Sequence, residues 1–379
     1  MNTSADELVR FRHALHAHPE LSGKETGTAK RVLDMLRTTG PDELIDGIGG
    51  TGILATYGTD LEGPQVLVRC ELDALPIKET NDLPYRSTTD GVGHKCGHDG
   101  HMAMLAGVAK EFGTERPARG RVHLIYQPAE ENGEGARAVL DDDRMKQRKF
   151  DLVLALHNLP GYPLGQVVLR KKAFTPSVNS MVIKLEGRTS HAAEPENGNN
   201  PSAAVAELLQ ACLSMAHYEA DERMRVVTPV HVLIGSPDYG ISAGHGEVHL
   251  TVRCWTDEEL RELEKAIEAK AQAIAEEHAL GHSIDYAHTF HAVMNDAAAV
   301  DLVEQAAKRT DHLVVHREMP FKWGEDFGLF TAKVKGCMFG LGAGEDMPAL
   351  HNPDYDFPDA LIPHGVDLFV AAARAYLKG

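Results

Sequence analysis

The sequence predicts an α/β protein in which a mixed, mostly parallel sheet is flanked by helices and interrupted by an inserted ferredoxin-like α+β domain. In the first half of the chain, helical patterns alternate with short apolar runs, as in a sheet covered on both faces. Residues 176–291 follow the order βαββαβ, which is that of the ferredoxin-like unit. At 379 residues the chain is long enough to form two domains.

The elements of the first domain are predicted from apolar spacing. Helical spacing occurs in "ADELVRFRHALHAHP" and "MAMLAGVAKEFG". Strands that break into polar loops are predicted in "QVLVRCELDALP", "RVHLIYQPAEE", "DLVLALHNLP" and "KGCMFGLGAG".

The inserted domain begins with the predicted strand "SMVIKLEG" and the helix "NPSAAVAELLQACLSMAHY", which has Pro201 near its first turn. Next come the strands "VVTPVHVLIG" and "EVHLTVRCW", the long helix "DEELRELEKAIEAKAQAIAEEHALG" and the strand "SIDYAHTFHA". The residues that follow return to helix, strand and helix without a core of their own. We therefore expect a first domain formed by residues 1–175 and 292–379, with residues 176–291 inserted.

Composition narrows the classes of function. Hydrophobic residues make up 43% and charged residues 25% of the chain, which is ordinary for a globular protein. The net charge of -18 argues against a nucleic-acid or anionic-membrane partner. No stretch approaches the roughly 18 apolar residues of a membrane helix. The N-terminus is polar and the five cysteines are scattered, so we expect a cytoplasmic protein without disulfides.

The stretch "GHKCGHDGHM" at residues 93–102 gathers three histidines, a cysteine and an aspartate. Cysteine, histidine and carboxylate ligands together suit zinc or a neighbouring divalent transition metal. Alternatively, Cys96 could be a nucleophile with His157 or His351 as its base. The stretch could also be a polar loop without chemistry. A structural zinc finger is not expected because no C-x-x-C pair occurs.

Polar side chains follow the predicted strands of the first domain. They are Asp73, Glu130 and Glu131, His157 and, after a glycine-rich loop, His351. In open α/β sheets, sites form outside the carboxyl ends of the strands, so these groups could converge with the Cys96–His98 loop.

The adjacent residues Glu130 and Glu131 allow two interpretations. On a regular strand they would point to opposite faces, but Pro128 indicates that the strand has already ended. In a loop both carboxylates could turn inward, one to bind metal and the other to accept a proton. The other interpretation is a solvated acidic turn.

Most of the 21 histidines must be bystanders. We place His94, His101 and His123 among these or, at most, in an outer shell of the site. The residues alone predict a metalloenzyme and no particular reaction.

Eight motifs in order make the sequence similar to a known family. The chain closely resembles the amidohydrolases related to hippurate hydrolase, bacterial aminoacylases and plant indole-acetyl-amino-acid hydrolases. The resemblance covers residues 10 to 375. It rests on "HAHPELSGKET", "ELDALPIKET", "GHKCGHDGHMAML", "YQPAEENGEGA", "ALHNLPG", "GRTSHAAEPENGNNPS", "GEDFG" and "ALHNPDYDFPD".

The resemblance implies a metal-dependent hydrolase with two divalent ions per subunit in its catalytic domain. It also implies that the inserted domain is a lid and dimerisation surface. A metal-activated water would attack the amide, with Glu130 as general base, Asp73 supporting the site and His191 of the lid stabilising the oxyanion. In relatives the lid histidine can reach the partner subunit's site, so a homodimer is implied. The implied metal ligands are Cys96, His98, Glu131, His157 and His351.

The sequence also departs from the family pattern. Where relatives carry an asparagine before the third strand of the lid, this chain reads "DYGISAGHGEVHLTVR", with Tyr239 or Gly240 at about that place. His245 and Arg253 are nearby polar candidates. Cys70 and Glu71 stand where relatives often have Ala-Asp, and for Cys70 we expect a packing role.

The expected substrate is an N-acyl amino acid or related small amide. Zinc or manganese is the expected metal, with cobalt or nickel as alternatives. One alternative function is a peptidase acting on dipeptides or other short peptides. A catalytically silent metal-dependent binding protein would have lost a ligand or the base, yet all are present. A cysteine-nucleophile hydrolase would remain active in the presence of chelators.

Overall fold

The computed structural model describes residues 3–58, 62–219 and 221–378, which divide into two compact units. The first unit comprises Met1–Phe174, Val293–Glu318 and Glu325–Gly379, and the second comprises Thr175–Ala292 and Met319–Gly324. The sequence predicted an uninterrupted insertion at residues 176–291. It did not predict that Met319–Gly324 groups with the second unit, because that grouping depends on tertiary contacts and not on a local pattern.

The first unit contains an eight-stranded sheet in the order β1-β2-β4-β3-β5-β16-β6-β15. Neighbouring strands are parallel in the pairs β3/β4, β3/β5, β5/β16 and β6/β15, and antiparallel in the pairs β1/β2, β2/β4 and β6/β16. A separate two-stranded sheet pairs β7 with β14. The strands are β1 Glu43–Ile48, β2 Gly52–Tyr57, β3 Gln65–Glu71, β4 Arg121–Gln127, β5 Leu152–Pro160, β6 Val167–Leu169, β7 Lys172–Thr175, β14 Val293–Asn295, β15 Val314–His316 and β16 Gly336–Gly344.

Helices flank this sheet, so its central strands are buried along nearly their whole length. Helix α3 is the most buried helix, and it packs against α1 and α10. The helices of the first unit are α1 Thr3–His16, α2 Thr26–Arg37, α3 His98–Thr114, α4 Gly135–Asp141, α5 Asp143–Lys146, α8 Ala297–Arg309, α9 Gly328–Thr331 and α10 Ile362–Lys378, with a 3-10 turn at Asp359–Leu361.

The second unit has the predicted βαββαβ order. Its antiparallel sheet has the strand order β10-β12-β8-β13, and α6 and α7 pack against it. The elements are β8 Ser177–Glu186, β9 Ser190–His191, α6 Ser202–Ser214, β10 Arg225–Ile234, β11 Ile241–Ser242, β12 His245–Cys254, α7 Asp257–Glu277 and β13 Gly281–Phe290, with a 3-10 turn at Pro195–Asn197. The predicted fold class, an α/β domain with an inserted ferredoxin-like domain, is therefore confirmed.

The C-terminal segment Asp359–Lys378 is long and apolar enough, by length and composition alone, to span a membrane. The sequence analysis did not single it out, because charged and polar residues such as His364, Asp367 and Arg374 interrupt the apolar residues. Half of its most apolar window is buried, and side chains such as Leu368 and Phe369 lie in the core of the first unit. These contacts account for its apolar composition.

We predict that Gly107→Ala destabilises the first unit. A Cβ at Gly107 would lie 2.4 Å from Cγ2 of Val366 in α10 and 3.0 Å from Cδ1 of Leu8 in α1. Overpacking of this kind costs about 1–3 kcal/mol, which exceeds the gain of about 1 kcal/mol from replacing a helical glycine by alanine. Urea unfolding measures the change. Gly240→Ala is the control, because its nearest neighbour is 3.6 Å away. Equal stability of the two variants would contradict the close packing of α3.

Candidate metal centre

The strands of the first unit bring the predicted polar residues to one edge of the sheet. Asp73 comes two residues after β3, and Glu130 follows β4 by three residues. His157 lies near the end of β5 and His98 is the first residue of α3, while His351 follows β16 after a loop. Because β3, β4 and β5 run parallel, their carboxyl ends meet, as expected for a site in an open α/β sheet.

Five of these residues form two triads of potential ligands that share Cys96. One triad is Cys96, His98 and His157, and the other is Cys96, Glu131 and His351. In each triad the ligand atoms lie within 4.8 Å of one another. The Cys96 Sγ is 3.4 Å from Nε2 of His157, and Nε2 of His351 is 3.8 Å from Oε2 of Glu131. Each triad could therefore hold one divalent ion, with Cys96 available to either.

Unsatisfied buried atoms show that the residues fit metal ions. Among the described residues, His98 Nε2 and Glu131 Oε1 are buried without a hydrogen-bond partner, and they lie 3.8 Å apart. Leaving a buried polar atom without a partner costs about 1–3 kcal/mol. Divalent cations held by the two triads would satisfy these atoms, and sulfur, nitrogen and carboxylate ligands together suit zinc and its neighbours.

Hydrogen bonds orient the two buried histidines for this task. His98 places Nδ1 2.9 Å from the carbonyl oxygen of Asp73, which leaves Nε2 facing the carboxylates. His157 places Nδ1 3.0 Å from the carbonyl oxygen of Asn158, which leaves Nε2 facing Cys96. A partner on the second ring nitrogen fixes the orientation of a metal-binding histidine in this way.

Asp73 connects the ligand-bearing segments. Its Oδ2 accepts hydrogen bonds from the Ser22 hydroxyl at 2.7 Å and from the Glu131 backbone N–H at 3.0 Å, while Oδ1 is 3.4 Å from Nδ1 of His98. The Asp73 carboxylate therefore positions Glu131 through its backbone N–H and His98 through its ring.

Glu130 and Glu131 lie in a turn after β4, where Ala129 has a φ of 52°. Both carboxylates point inward, with Glu130 Oε2 3.9 Å and Glu131 Oε1 3.8 Å from Nε2 of His98. The solvated acidic turn is therefore wrong. Pro128 marks the strand's end, as predicted, because β4 stops at Gln127.

The electrostatics of the metal-free site favour protonated carboxyls. Burial, together with the charges of Glu325 and Glu131, raises the pKa of Glu130 well above its usual range. Burial also raises the pKa of Glu131 to about 7, although His98 opposes the rise. Burial lowers the pKa of His98, but the hydrogen bond to Asp73 and the charges of Glu71 and Glu131 together outweigh burial and raise the value to about 10. Cations bound here would reverse these preferences, because their charge favours ionised carboxylates and neutral imidazoles.

Burial also sets the state of the remaining ligands. It lowers the pKa of His157 to about 3 and raises the pKa of the Cys96 thiol well above its usual range. A cysteine nucleophile needs a lowered pKa, so the Cys–His nucleophile loses its support. A neutral imidazole at His157, by contrast, is the form that binds metal.

The sequence analysis missed a buried ionic cluster beneath Glu130. Arg69 is fully buried and forms an ion pair with Glu71, while its Nη2 lies 2.9 Å from Glu325 Oε1 and 2.5 Å from Asp326 Oδ1. Asp326 also accepts a hydrogen bond from Gln127. Adjacent acids in "GEDFG" were the available signal, but their partner, Arg69, lies more than 250 residues earlier in the chain.

The three histidines predicted to be bystanders differ in their contacts. His123 is hydrogen-bonded to Thr56 and Gln65, neither of which is a predicted ligand. His101 belongs to the outer shell, since Nδ1 is 2.7 Å from Glu71 Oε2 and its ring lies 5.1 Å from that of His157. His94 is buried, and burial lowers its pKa to about 3. Cys70 is buried in the hydrophobic core, in agreement with a packing role.

His191 lies in the second unit, where it is exposed and pairs with Ile241. Its assignment to the oxyanion stays a prediction. The segment that departs from the family pattern is also in this unit, with Tyr239 96% exposed in the loop before β11. His245 is bonded to Glu186 and Glu247, and Arg253 lies in β12. None of these contacts assigns a substrate role.

The fold and the two triads define a two-domain α/β hydrolase of the metal-dependent kind. The model of peptidase family M20/M25/M40 matches residues 67–375, and the chain belongs to that family. The predicted class, a metal-dependent amidohydrolase, is confirmed.

Three relatives illustrate the similarity. The chain is 29% identical to hippurate hydrolase of Campylobacter jejuni, over 98% of this chain and 97% of that protein. It is 31% identical to N-acetyldiaminopimelate deacetylase of Halalkalibacterium halodurans, over 94% and 97%. Among solved structures, the YXEP protein of Bacillus subtilis, described as a dinuclear metal binding peptidase from the M20 family, matches with a TM-score of 0.85 and 27% identity over 99% and 98% of the two chains.

We predict that Arg69→Met strongly destabilises the metal-free protein. The substitution leaves several buried carboxyls without their cation, and breaking a buried ion pair from one side costs about 3–5 kcal/mol. Urea unfolding measures the loss. Arg37→Met is the control, because Arg37 pairs with Asp34 at the surface, and its effect should stay within about 0.5 kcal/mol. Losses of equal size would show that the cluster does not depend on Arg69.

Proposed function

We propose that the protein hydrolyses the amide bond of N-acyl amino acids or related small amides, with Glu130 as the general base. The observation that carries this proposal is the position of the Glu130 carboxylate. It is buried and 3.9 Å from His98 Nε2, and it clusters with His98 and Glu131, one ligand from each triad. The relatives' names support the substrate class, because hippurate hydrolase and N-acetyldiaminopimelate deacetylase are named for acylated amino acids.

Two divalent ions would be held by the five predicted ligands, Cys96, His98, Glu131, His157 and His351. The two triads and the description of the YXEP protein as dinuclear support the number of ions. We propose zinc or manganese, with cobalt or nickel as alternatives, because thiolate and imidazole ligands suit these metals. Such ions supply acidification of a water and positive charge opposite a developing oxyanion.

Glu130 then moves the proton. Its carboxylate accepts a proton from the attacking water and returns it to the leaving amine, which suits a carboxyl whose pKa is raised by burial and by Glu325. Asp73 acts indirectly, because it orients His98 and the Glu131 backbone. We assign stabilisation of the oxyanion to His191, which is exposed on its unit and thus accessible to a substrate.

Hydrolysis of short peptides is the second candidate. The observation in its favour is the description of the YXEP protein as a peptidase. Both reactions use the same base and ligands, so the products formed from a substrate panel distinguish them.

We also propose a cytoplasmic homodimer that forms through the second unit. Strand β10 is an edge strand that pairs with β12 alone in the described sheet. Its side chains include Val230, which is 60% exposed, and Ile234, which is 40% exposed. Apolar edges of this kind favour association with another strand. All five cysteines are free, which suits a reducing compartment.

We predict that Glu130→Gln lowers turnover by about 10²–10⁴-fold, the usual contribution of a general base, while leaving metal binding intact. Amine release from N-acyl amino acids and dipeptides measures activity, and elemental analysis measures bound metal. Glu134→Gln, an exposed carboxylate in the same loop, is the control and should retain activity.

Chelation should abolish the wild-type reaction, and added Zn²⁺ or Mn²⁺ should restore it. Activity that survives both the Glu130 substitution and chelation would exclude the proposed mechanism.

We predict that Val230→Lys converts the dimer to a monomer, because a charge on the β10 edge opposes strand pairing. Sedimentation velocity measures the change. Ala287→Lys, an exposed position on the opposite edge strand β13, is the control and should leave the dimer intact. A monomeric wild type, or a dimer that tolerates Val230→Lys, would refute this interface.

A further inference from the structure

Lys95 immediately precedes the ligand Cys96, yet its side chain is completely buried. Its Nζ donates hydrogen bonds to Glu79 Oε1 and to the backbone carbonyl of Tyr355, both at 2.8 Å. Its own carbonyl accepts a hydrogen bond from the His351 backbone N–H, also at 2.8 Å. One residue therefore binds both ends of the segment from His351 to Tyr355.

A buried ammonium is a poor means of gaining stability alone. Removing a lysine and its carboxylate partner from water is unfavourable, and an apolar pair in their place is often as stable. Glu79 is also shared, since it accepts further hydrogen bonds from His16 and the Ser87 backbone. The specific result of burying Lys95 is instead the fixed position of residues 351–355.

His351 depends on this fixation more than the other ligands do. Its side chain is 51% exposed, so packing constrains it little. Its backbone has a φ of 65°, an unfavourable conformation for a residue with a Cβ, which must be maintained by its surroundings. The hydrogen bond from its backbone N–H to the Lys95 backbone carbonyl supplies one such constraint, and the Lys95 side chain supplies another by holding the far end of the segment at the Tyr355 carbonyl.

The other triad is held by different groups. His98 is oriented by Asp73 and lies at the start of the buried helix α3. His157 lies in β5, a buried strand between β3 and β16. Loss of the Lys95 side chain removes none of these contacts.

We propose that Lys95 is a positioning residue for His351 and thereby controls the affinity of the ion held by Cys96, Glu131 and His351. The ion held by Cys96, His98 and His157 is independent of it. This inference rests on the ligand set of the proposed function.

The test is a calorimetric titration of the metal-free protein with Zn²⁺ alone, with bound metal counted by elemental analysis. Lys95→Met should weaken one of two binding steps by roughly tenfold or more, as outer-shell substitutions typically do, and leave the other step unchanged. Lys110→Met is the control, because Lys110 is a partly exposed lysine of α3 that pairs with Glu7, away from the ligands. Should Lys95→Met not fold, as judged by circular dichroism, Lys95→Gln replaces it.

A double-mutant cycle with His351→Ala separates positioning from general stabilisation. If Lys95 acts through His351, adding Lys95→Met to His351→Ala produces no further loss of affinity, while its effect adds in full to that of His157→Ala. Equal weakening of both steps, or full additivity with His351→Ala, would overturn the role of Lys95. A wild type that binds fewer than two ions would instead reject the ligand set itself, and the inference with it.

Discussion

The carboxylate of Asp73 is the constraint on which the site depends. It accepts hydrogen bonds from Ser22 and from the Glu131 backbone and lies beside the ring of His98. Asp73 follows β3, Glu131 follows β4 and His98 begins α3. The Asp73 carboxylate therefore connects segments that are far apart in sequence. A single buried anion fixes their relative positions because its carboxylate oxygens are shielded from solvent and face all three partners. The same anion favours the histidine tautomer that directs Nε2 towards the metal side.

The ligand residues could be predicted from the sequence more completely than the buried charged residues that support them. Cys96 and His98 could be singled out because cysteine and histidines cluster in residues 93–102, and Glu131 and His157 because each follows or ends an apolar run, whose ends the sheet brings together. The inward turn of Glu130 could not be decided, since it depends on the left-handed Ala129. Arg69 and Lys95 resembled ordinary charged residues of a strand and a loop. Arg69 is buried against Asp326, and Lys95 is buried against the backbone carbonyl of Tyr355. No local sequence pattern predicts pairs so far apart in the chain.

Two buried cationic side chains, those of Arg69 and Lys95, stabilise two different segments near the ligands. Arg69 balances the acids beneath Glu130, whereas Lys95 secures the segment that begins at His351. Each cation is close to the ligands without coordinating metal. Burial strengthens the electrostatic interactions of both Arg69 and Lys95. Both lie where small displacements would alter the distances between ligand atoms.

Metal binding and protonation compete in this site. Without metal, the raised pKa of His98 and the raised pKa of Glu131 mean that protons occupy atoms that a cation needs. Binding must therefore release protons, so the affinity for metal should increase with pH across the range where these groups titrate. His157 is already neutral because burial lowers its pKa to about 3, and it needs no such release. The triad of Cys96, His98 and His157 thus contains one ligand prepared for metal, one that must lose a proton, and a thiol whose deprotonation the ion itself must drive.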